Sequence, residues 1–245
     1  GVSDGKQSYT WDSENRLRSV TLGSTVRTFA YDSEGNRVRR SVGTDKTLFF
    51  GSLYEERPIK PRDFPLFQER ASFTDDTVLT VAVADAILKG GSYQESIRTL
   101  CRRYPAAGYG GLFIDWLYSK TPAPYGSWGN GAATRVSPVG FAFEREEDVL
   151  KQAAESASVT HNHPQAIEAA QATALAIFLA RTSRDRQVLR SEIEGRFGYD
   201  LGQSVDDLRA GYSFDVSARG TVPAALVAFL DSSSWEDAVR NAVSL

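Results

Sequence analysis

Hydrophobic and polar positions alternate one by one over the first fifty residues and then shift to a spacing of three and four. The stretch "YTWDSENRLRSV" at 9–20 recurs as "FAYDSEGNRVRR" at 29–40, twenty residues later. Alternation on both sides of a polar turn predicts β-hairpins. In each copy an aromatic pair, Tyr9 with Trp11 or Phe29 with Tyr31, falls on one face of a strand. Glu34-Gly35-Asn36 supplies residues that tolerate the positive φ of a turn.

From about Thr74 the pattern becomes helical. "TVLTVAVADAILKGG" is apolar nearly all round and predicts a central helix stopped by Gly90-Gly91. "SYQESIRTLCRRY" predicts a more amphipathic helix, and "AAGYGG" and "YGSWGNGAATRVSP" then predict a glycine-rich loop region. Further helices are expected at 144–157, 165–181, 186–197, 204–210, 222–230 and 235–243. "SSWE" predicts a capping box for the last of them, with Ser233 as the cap and Glu236 three residues on. The fold class is therefore mainly α, a multi-helical domain over 51–245 behind a short β-hairpin repeat segment over 1–50.

Composition narrows the classes further. A chain of 245 residues can bury one substantial core, and 41% hydrophobic with 24% charged residues is ordinary for a soluble globular protein. A net charge of -3 offers no footing for nucleic acid or for an anionic membrane surface. No apolar run approaches the roughly 20 residues of a membrane span, and no signal peptide opens the chain. The single cysteine, Cys101, excludes an internal disulfide framework and reads as a packed thiol in a helix; the default location is cytoplasmic. The absence of methionine marks the sequence as a fragment or a processed piece.

Three stretches can carry chemistry. In "FTDDT", Thr74 fits a helix cap, and acids in a first turn gain roughly 0.3–1 kcal/mol each from the helix dipole. Alternatively, Thr74, Asp75 and Asp76 converge on a cation. Two carboxylates about 4 Å apart repel by about 4 kcal/mol at an effective dielectric near 20, and hard oxygens suit Mg²⁺, Mn²⁺ or Ca²⁺. The sequence leaves both readings open. In "YGSWGNGAATR", Gly126, Gly129 and Gly131 leave backbone amides bare around Ser127 and Asn130, which can cradle a phosphate or form a plain flexible turn. Both histidines lie in "SVTHNHPQ", where Pro164 fits a first helical turn and places His161 and His163 before it. They can donate to a phosphate or ribose, or cap the helix; no cysteine or third histidine supports zinc.

The ordered set "GSLYE", "IKPRDFPLF", "FTDDT", "GYGG", "GSWGNGAATRVSPVG" and "THNHPQAIEAAQATA" resembles the ADP-ribosylglycohydrolase family, which includes the enzyme that reactivates dinitrogenase reductase. The resemblance runs from about Gly51 to Leu245. It implies an all-α hydrolase with Mg²⁺ (Mn²⁺ in some members) that cleaves the N- or O-glycosidic bond of ADP-ribosylated proteins or small molecules. It also implies roles. Thr74, Asp75 and Asp76 would hold metal, and Glu55, Asp75 and Asp76 would serve catalysis. Gly126, Ser127, Gly129, Asn130 and Gly131 would hold the diphosphate and distal ribose, with His161 at the ADP-ribose pocket and Gly110 and Gly111 beside the substrate. The N-terminal repeat resembles the tyrosine-aspartate (YD) repeats of Rhs-family proteins, which keeps a second class open: an exported effector or surface protein without hydrolase activity. A degenerate ADP-ribose binder is a third.

The sequence departs from the family pattern twice. "GTDKTLFF" stands where the family has a short opening helix, and "WEDAVRNAVSL" ends where a Gly-Gly-Asp-x-Asp-Thr motif would supply further metal ligands. Weak metal binding, little turnover and an exposed apolar groove are the resulting expectations.

Overall fold

The computed structural model describes residues 2–3, 7–11, 17–22, 24–31, 37–42, 45–49, 55–56, 64–66, 71–212 and 215–245. The chain divides into two units, Gly1–Pro61 with Gly108–Gly111, and Arg62–Ala107 with Leu112–Leu245.

The first unit holds β1 (Val2–Ser3), β2 (Gln7–Trp11), β3 (Leu17–Leu22), β4 (Thr25–Tyr31), β5 (Arg37–Val42), β6 (Asp45–Phe49) and β7 (Glu55–Glu56). They form a seven-stranded sheet in sequence order, every neighbouring pair antiparallel. The expected hairpins are thus part of a longer meander. The repeat is visible in its register: β2 slips against β3 between Thr10 and Trp11, and β4 slips against β5 between Ala30 and Tyr31. The same irregularity returns twenty residues later because the same alternation of residues returns. The expected turn residues Glu34, Gly35 and Asn36 lie outside the described residues.

The second unit is helical. Its elements are α1 (Asp75–Lys89), α2 (Tyr93–Arg103), α3 (Gly111–Tyr118, whose first residue belongs to the first unit), α4 (Gly131–Thr134), α5 (Ser137–Ala142) and α6 (Glu146–Ser158). They are followed by α7 (Pro164–Thr182), α8 (Arg186–Phe197), α9 (Val205–Gly211), α10 (Ala218–Leu230) and α11 (Trp235–Val243). The chain is mostly helical, as its patterning requires.

The central helix is α7 and not α1. Ala166, Ala169, Ala170, Ala172, Ala174, Leu175 and Ala176 are buried on it, and it packs against α4, α5, α6, α8 and α10. Alanines on several faces let neighbours approach from several directions. α1 buries a single stripe, Val78, Leu79, Ala82, Val83 and Ala86, while Val81 and Leu88 face solvent. Its apolar text is wider than the face it buries. As expected, α1 ends at Gly90, whose φ of 61° closes the helix in the left-handed region. Cys101 is buried in α2.

Two expectations shift by four residues or fewer. α10 starts at Ala218, before the predicted 222, and carries Pro223 as its sixth residue, where the missing N–H leaves the Arg219 carbonyl without its helical donor. The cap of α11 is Ser234, which accepts from the Asp237 N–H; Ser233 instead donates from both its amide and its hydroxyl to the Asp237 carboxylate. "SSSWED" offers the S-x-x-acid spacing in two registers, and the later one forms. Between α5, α7, α10 and α11 lies an apolar groove of about 910 Å³, with Phe141, Ile177, Leu226, Phe229 and Trp235 among its walls.

Candidate functional site

The front of α1 is held by its neighbours and not by its own cap. Thr74 occupies the N-cap position, yet its side chain makes no capping hydrogen bond. Asp75 N–H donates to the Ala107 carbonyl at 2.8 Å, so one orphan donor of the first turn is satisfied from outside the helix. Thr74 and Asp76 are exposed, and Asp75 between them is half-buried. Asp76 Oδ1 accepts from the Thr134 hydroxyl at 3.0 Å, which ties the acidic turn to α4.

Asp75 is unfavourably placed for a carboxylate without a cation. Its pKa is pushed up to about 6, first by burial and then by the neighbouring Asp76 charge, against the opposing pull of the Asp76 and Asp75 backbone N–H groups. Among the described residues no Lys or Arg forms a salt bridge with either acid. Nor, among the described residues, does a group of three or more His, Cys, Asp or Glu side chains gather there. The donors present are hard oxygens, two carboxylates and one hydroxyl. That set fits a Mg²⁺- or Mn²⁺-type ion, which bound water and substrate oxygens would complete.

α4 leads back from Thr134 to the glycine loop. Tyr125 N–H donates to the Thr160 carbonyl at 3.2 Å, and Gly126 N–H, at a φ of 70°, donates to Asn162 Oδ1 at 2.7 Å. On its other side the loop is clamped by the segment before α10. Gly129 bridges Ser217, Asn130 N–H donates to the Val216 carbonyl at 3.0 Å, and Ala218 N–H to the Trp128 carbonyl at 3.0 Å. Gly129 N–H also donates to the Ser127 hydroxyl oxygen at 3.3 Å, and Asn130 Nδ2 donates to Thr221 Oγ1 at 3.2 Å. The loop is therefore built and not floppy. The amides of Gly126, Gly129 and Asn130 are already engaged, which departs from the bare-amide picture read in the sequence.

The two histidines separate. His163 is the N-cap of α7 and accepts from Gln165 N–H at 3.3 Å. His161 is buried, and its ring lies against the glycine loop: a methyl group at Gly131 would stand 3.2 Å from His161 Nε2, and one at Gly129 3.9 Å away. Burial and the Arg135 charge pull the His161 pKa down to about 3, so this imidazole is neutral. Its Nδ1 lies 2.7 Å from the Thr160 hydroxyl.

Thr74, Asp75, Asp76, Ser127, Gly129, Asn130, Gly131 and His161 thus fall along one connected path, from the acidic turn through Thr134 and α4 to the histidine. Gly110 and Gly111 lie at the start of α3, in the first unit. Glu55 pairs with Phe49 in β7, also in the first unit, and its side chain lies outside the described residues. Sequence reasoning passed over Thr134, Arg135, Thr160 and Asn162. One signal was available: an arginine inside the small and apolar run "GAATRVSPVG".

Mouse ADP-ribosylhydrolase ARH3 is 31% identical over 131 residues, covering 46% of this chain and 35% of that protein. The zebrafish (Danio rerio) enzyme of the same name is 29% identical over 130 residues, covering 44% of this chain and 34% of its own. The tRNA3(Ser)-specific nuclease WapA of Bacillus spizizenii is 43% identical over 141 residues, 56% of this chain and 6% of that protein. The chain therefore spans about a third of the ADP-ribosylhydrolases it matches and a small part of the nuclease. A solved structure described as an ADP-ribosylglycohydrolase-related protein complex superposes with a TM-score of 0.56 at 26% identity, over 71% of this chain and 64% of that one. The family model for ADP-ribosylglycohydrolase matches residues 19–245, nearly the whole chain and every element of the path just traced, and the chain belongs to that family.

Proposed function

We propose that this chain binds ADP-ribose carried on a protein side chain or a small molecule and hydrolyses its N- or O-glycosidic bond with the help of a divalent cation. Thr74, Asp75 and Asp76 hold the cation, which when bound supplies Lewis-acid polarisation of ribose oxygens and of a water. Asp76 is kept in place by the Thr134 hydroxyl, so the acidic turn and the glycine loop stay in register as a ligand enters. The glycines leave room beside His161 where side chains would fill it, and the ring offers a neutral polar edge to a diphosphate or ribose oxygen. Asn130, whose Nδ2 donates to Thr221 Oγ1, keeps its side-chain carbonyl for a ligand donor. Glu55 is the further carboxylate assigned to the anomeric carbon, on the family resemblance alone.

The observation that carries this reading is the chain of contacts from Asp76 through Thr134 and Gly131 to His161. Helix capping alone requires none of it. The test is release of ADP-ribose from ADP-ribosylated arginine and serine peptides with Mg²⁺. Release that disappears in Asp75→Ala supports hydrolysis. ADP-ribose bound but never released reduces the chain to a binder, and neither binding nor release overturns the proposal.

A further inference from the structure

Arg135 follows Thr134 directly and is 0% exposed. Its Nη2 donates to the Ser156 carbonyl at 2.9 Å, to the Thr160 hydroxyl at 2.9 Å and, weakly, to the Ala157 carbonyl at 3.5 Å. Its Nε and Nη1 meet no partner among the described residues. A leucine or methionine would fill this space without stranding two N–H groups or burying a charge, so packing does not account for an arginine here. Burial draws its pKa down to about 10, which leaves it cationic at neutral pH. The one nitrogen it uses grips the last carbonyls of α6, where a cation is favoured, and the hydroxyl of the residue just before His161.

That hydroxyl decides where the histidine proton sits. Thr160 is 0% exposed, and its oxygen already accepts from Arg135. Its own hydrogen needs an acceptor, and His161 Nδ1 at 2.7 Å is the one offered among the described residues. Were Nδ1 protonated instead, both lone pairs of Thr160 would be filled and its O–H left buried without an acceptor, the costly arrangement. The hydrogen bond therefore runs from Thr160 to Nδ1. A neutral imidazole then carries its proton on Nε2, the atom nearest Gly131 and Gly129.

We propose that Arg135 and Thr160 are positioning residues that fix His161 as the Nε2–H tautomer, a hydrogen-bond donor aimed into the Gly129–Gly131 cradle. That this donor meets a diphosphate or ribose oxygen rests on the function proposed above. The tautomer itself does not.

The test reads both separately. The chain has two histidines, so His163→Asn, which keeps a capping side chain, leaves one imidazole for ring-nitrogen NMR. In that background the Nε2–H tautomer is expected. Thr160→Val should shift the ring toward Nδ1–H or a mixture and weaken ADP-ribose binding by about tenfold, while Thr160→Ser restores both. Arg135→Met, expected to loosen the α6 end, should give a mixed tautomer wherever it folds. An Nδ1–H ring in the parent protein, or a tautomer unchanged in Thr160→Val, overturns the proposal. An altered tautomer with unaltered ADP-ribose affinity overturns its ligand half. A correct tautomer in a protein that binds no ADP-ribose keeps the positioning and removes the proposed function instead.

Discussion

Burial and the neighbouring Asp76 carboxylate hold the Asp75 pKa near 6, above the usual 3.8. The folded state then binds this proton more tightly than the unfolded chain does. The contribution of Asp75 to stability is full below about pH 4 and is lost as pH rises through about 6. That rise corresponds to about 3 kcal/mol, which solvent reaching a partly exposed group reduces to about 1–2 kcal/mol. Asp75→Asn should therefore melt higher than the parent at pH 7 in the absence of metal and lose this pH slope, as thermal unfolding at pH 4 and pH 7 would show. The same variant should bind Mg²⁺ far more weakly. In the parent, Mg²⁺ affinity should fall by about tenfold per pH unit below 6, because the ion competes with the proton. A variant that is both more stable and less capable is what a binding residue gives and a structural acid does not. At Gly131 the conflict is steric: the added methyl of Gly131→Ala would stand 3.2 Å from His161 Nε2, inside ordinary contact. ADP-ribose titration should show about a tenfold loss of affinity with little change in melting temperature.

At the scale of elements, the site depends on short helices seated on α7. α5 lies so close to it that a methyl group on Gly140 would be 2.7 Å from both the Ala174 carbonyl and Ile177 Cβ. Gly140→Ala should destabilise the fold by about 1–3 kcal/mol, measured by denaturant unfolding, because backbone and not a flexible side-chain tip stands in the way. α8, predicted at 186–197 and observed as Arg186–Phe197, shows how far periodicity carries when a cap and a terminal glycine agree. α4 and α5, four and six residues long, were not legible, since neither completes the two turns on which an amphipathic pattern can repeat. Gly131 and Pro138 read as loop. The acidic turn, the glycine loop and His161 were legible as residue types, but Thr134, Arg135 and Thr160, which connect them, were not. Their role comes from tertiary contacts between α4 and the end of α6, and no local spacing encodes those. The division of labour between His161 and His163 was hidden for the same reason.

For the whole molecule, the structure divides into two units, one holding a repeating antiparallel sheet and the other an α domain built around α7. Among the described residues no helix is long and apolar enough to cross a membrane. The path from α1 to His161 lies inside the part of the chain that the ADP-ribosylglycohydrolase family model matches, and the proposed function makes it one composite site for a cation and ADP-ribose. If the acidic turn and the glycine loop form that single site, each ligand must change the affinity for the other. The decisive measurement is calorimetric titration of ADP-ribose with and without Mg²⁺, in the parent and in Asp75→Asn. Mg²⁺ should tighten ADP-ribose binding in the parent by tenfold or more, on the order of 1.4 kcal/mol, and leave Asp75→Asn unaffected. Equal affinity with and without Mg²⁺ in the parent would contradict the account, leaving the acidic turn as the front of α1 with no cation shared with the ligand.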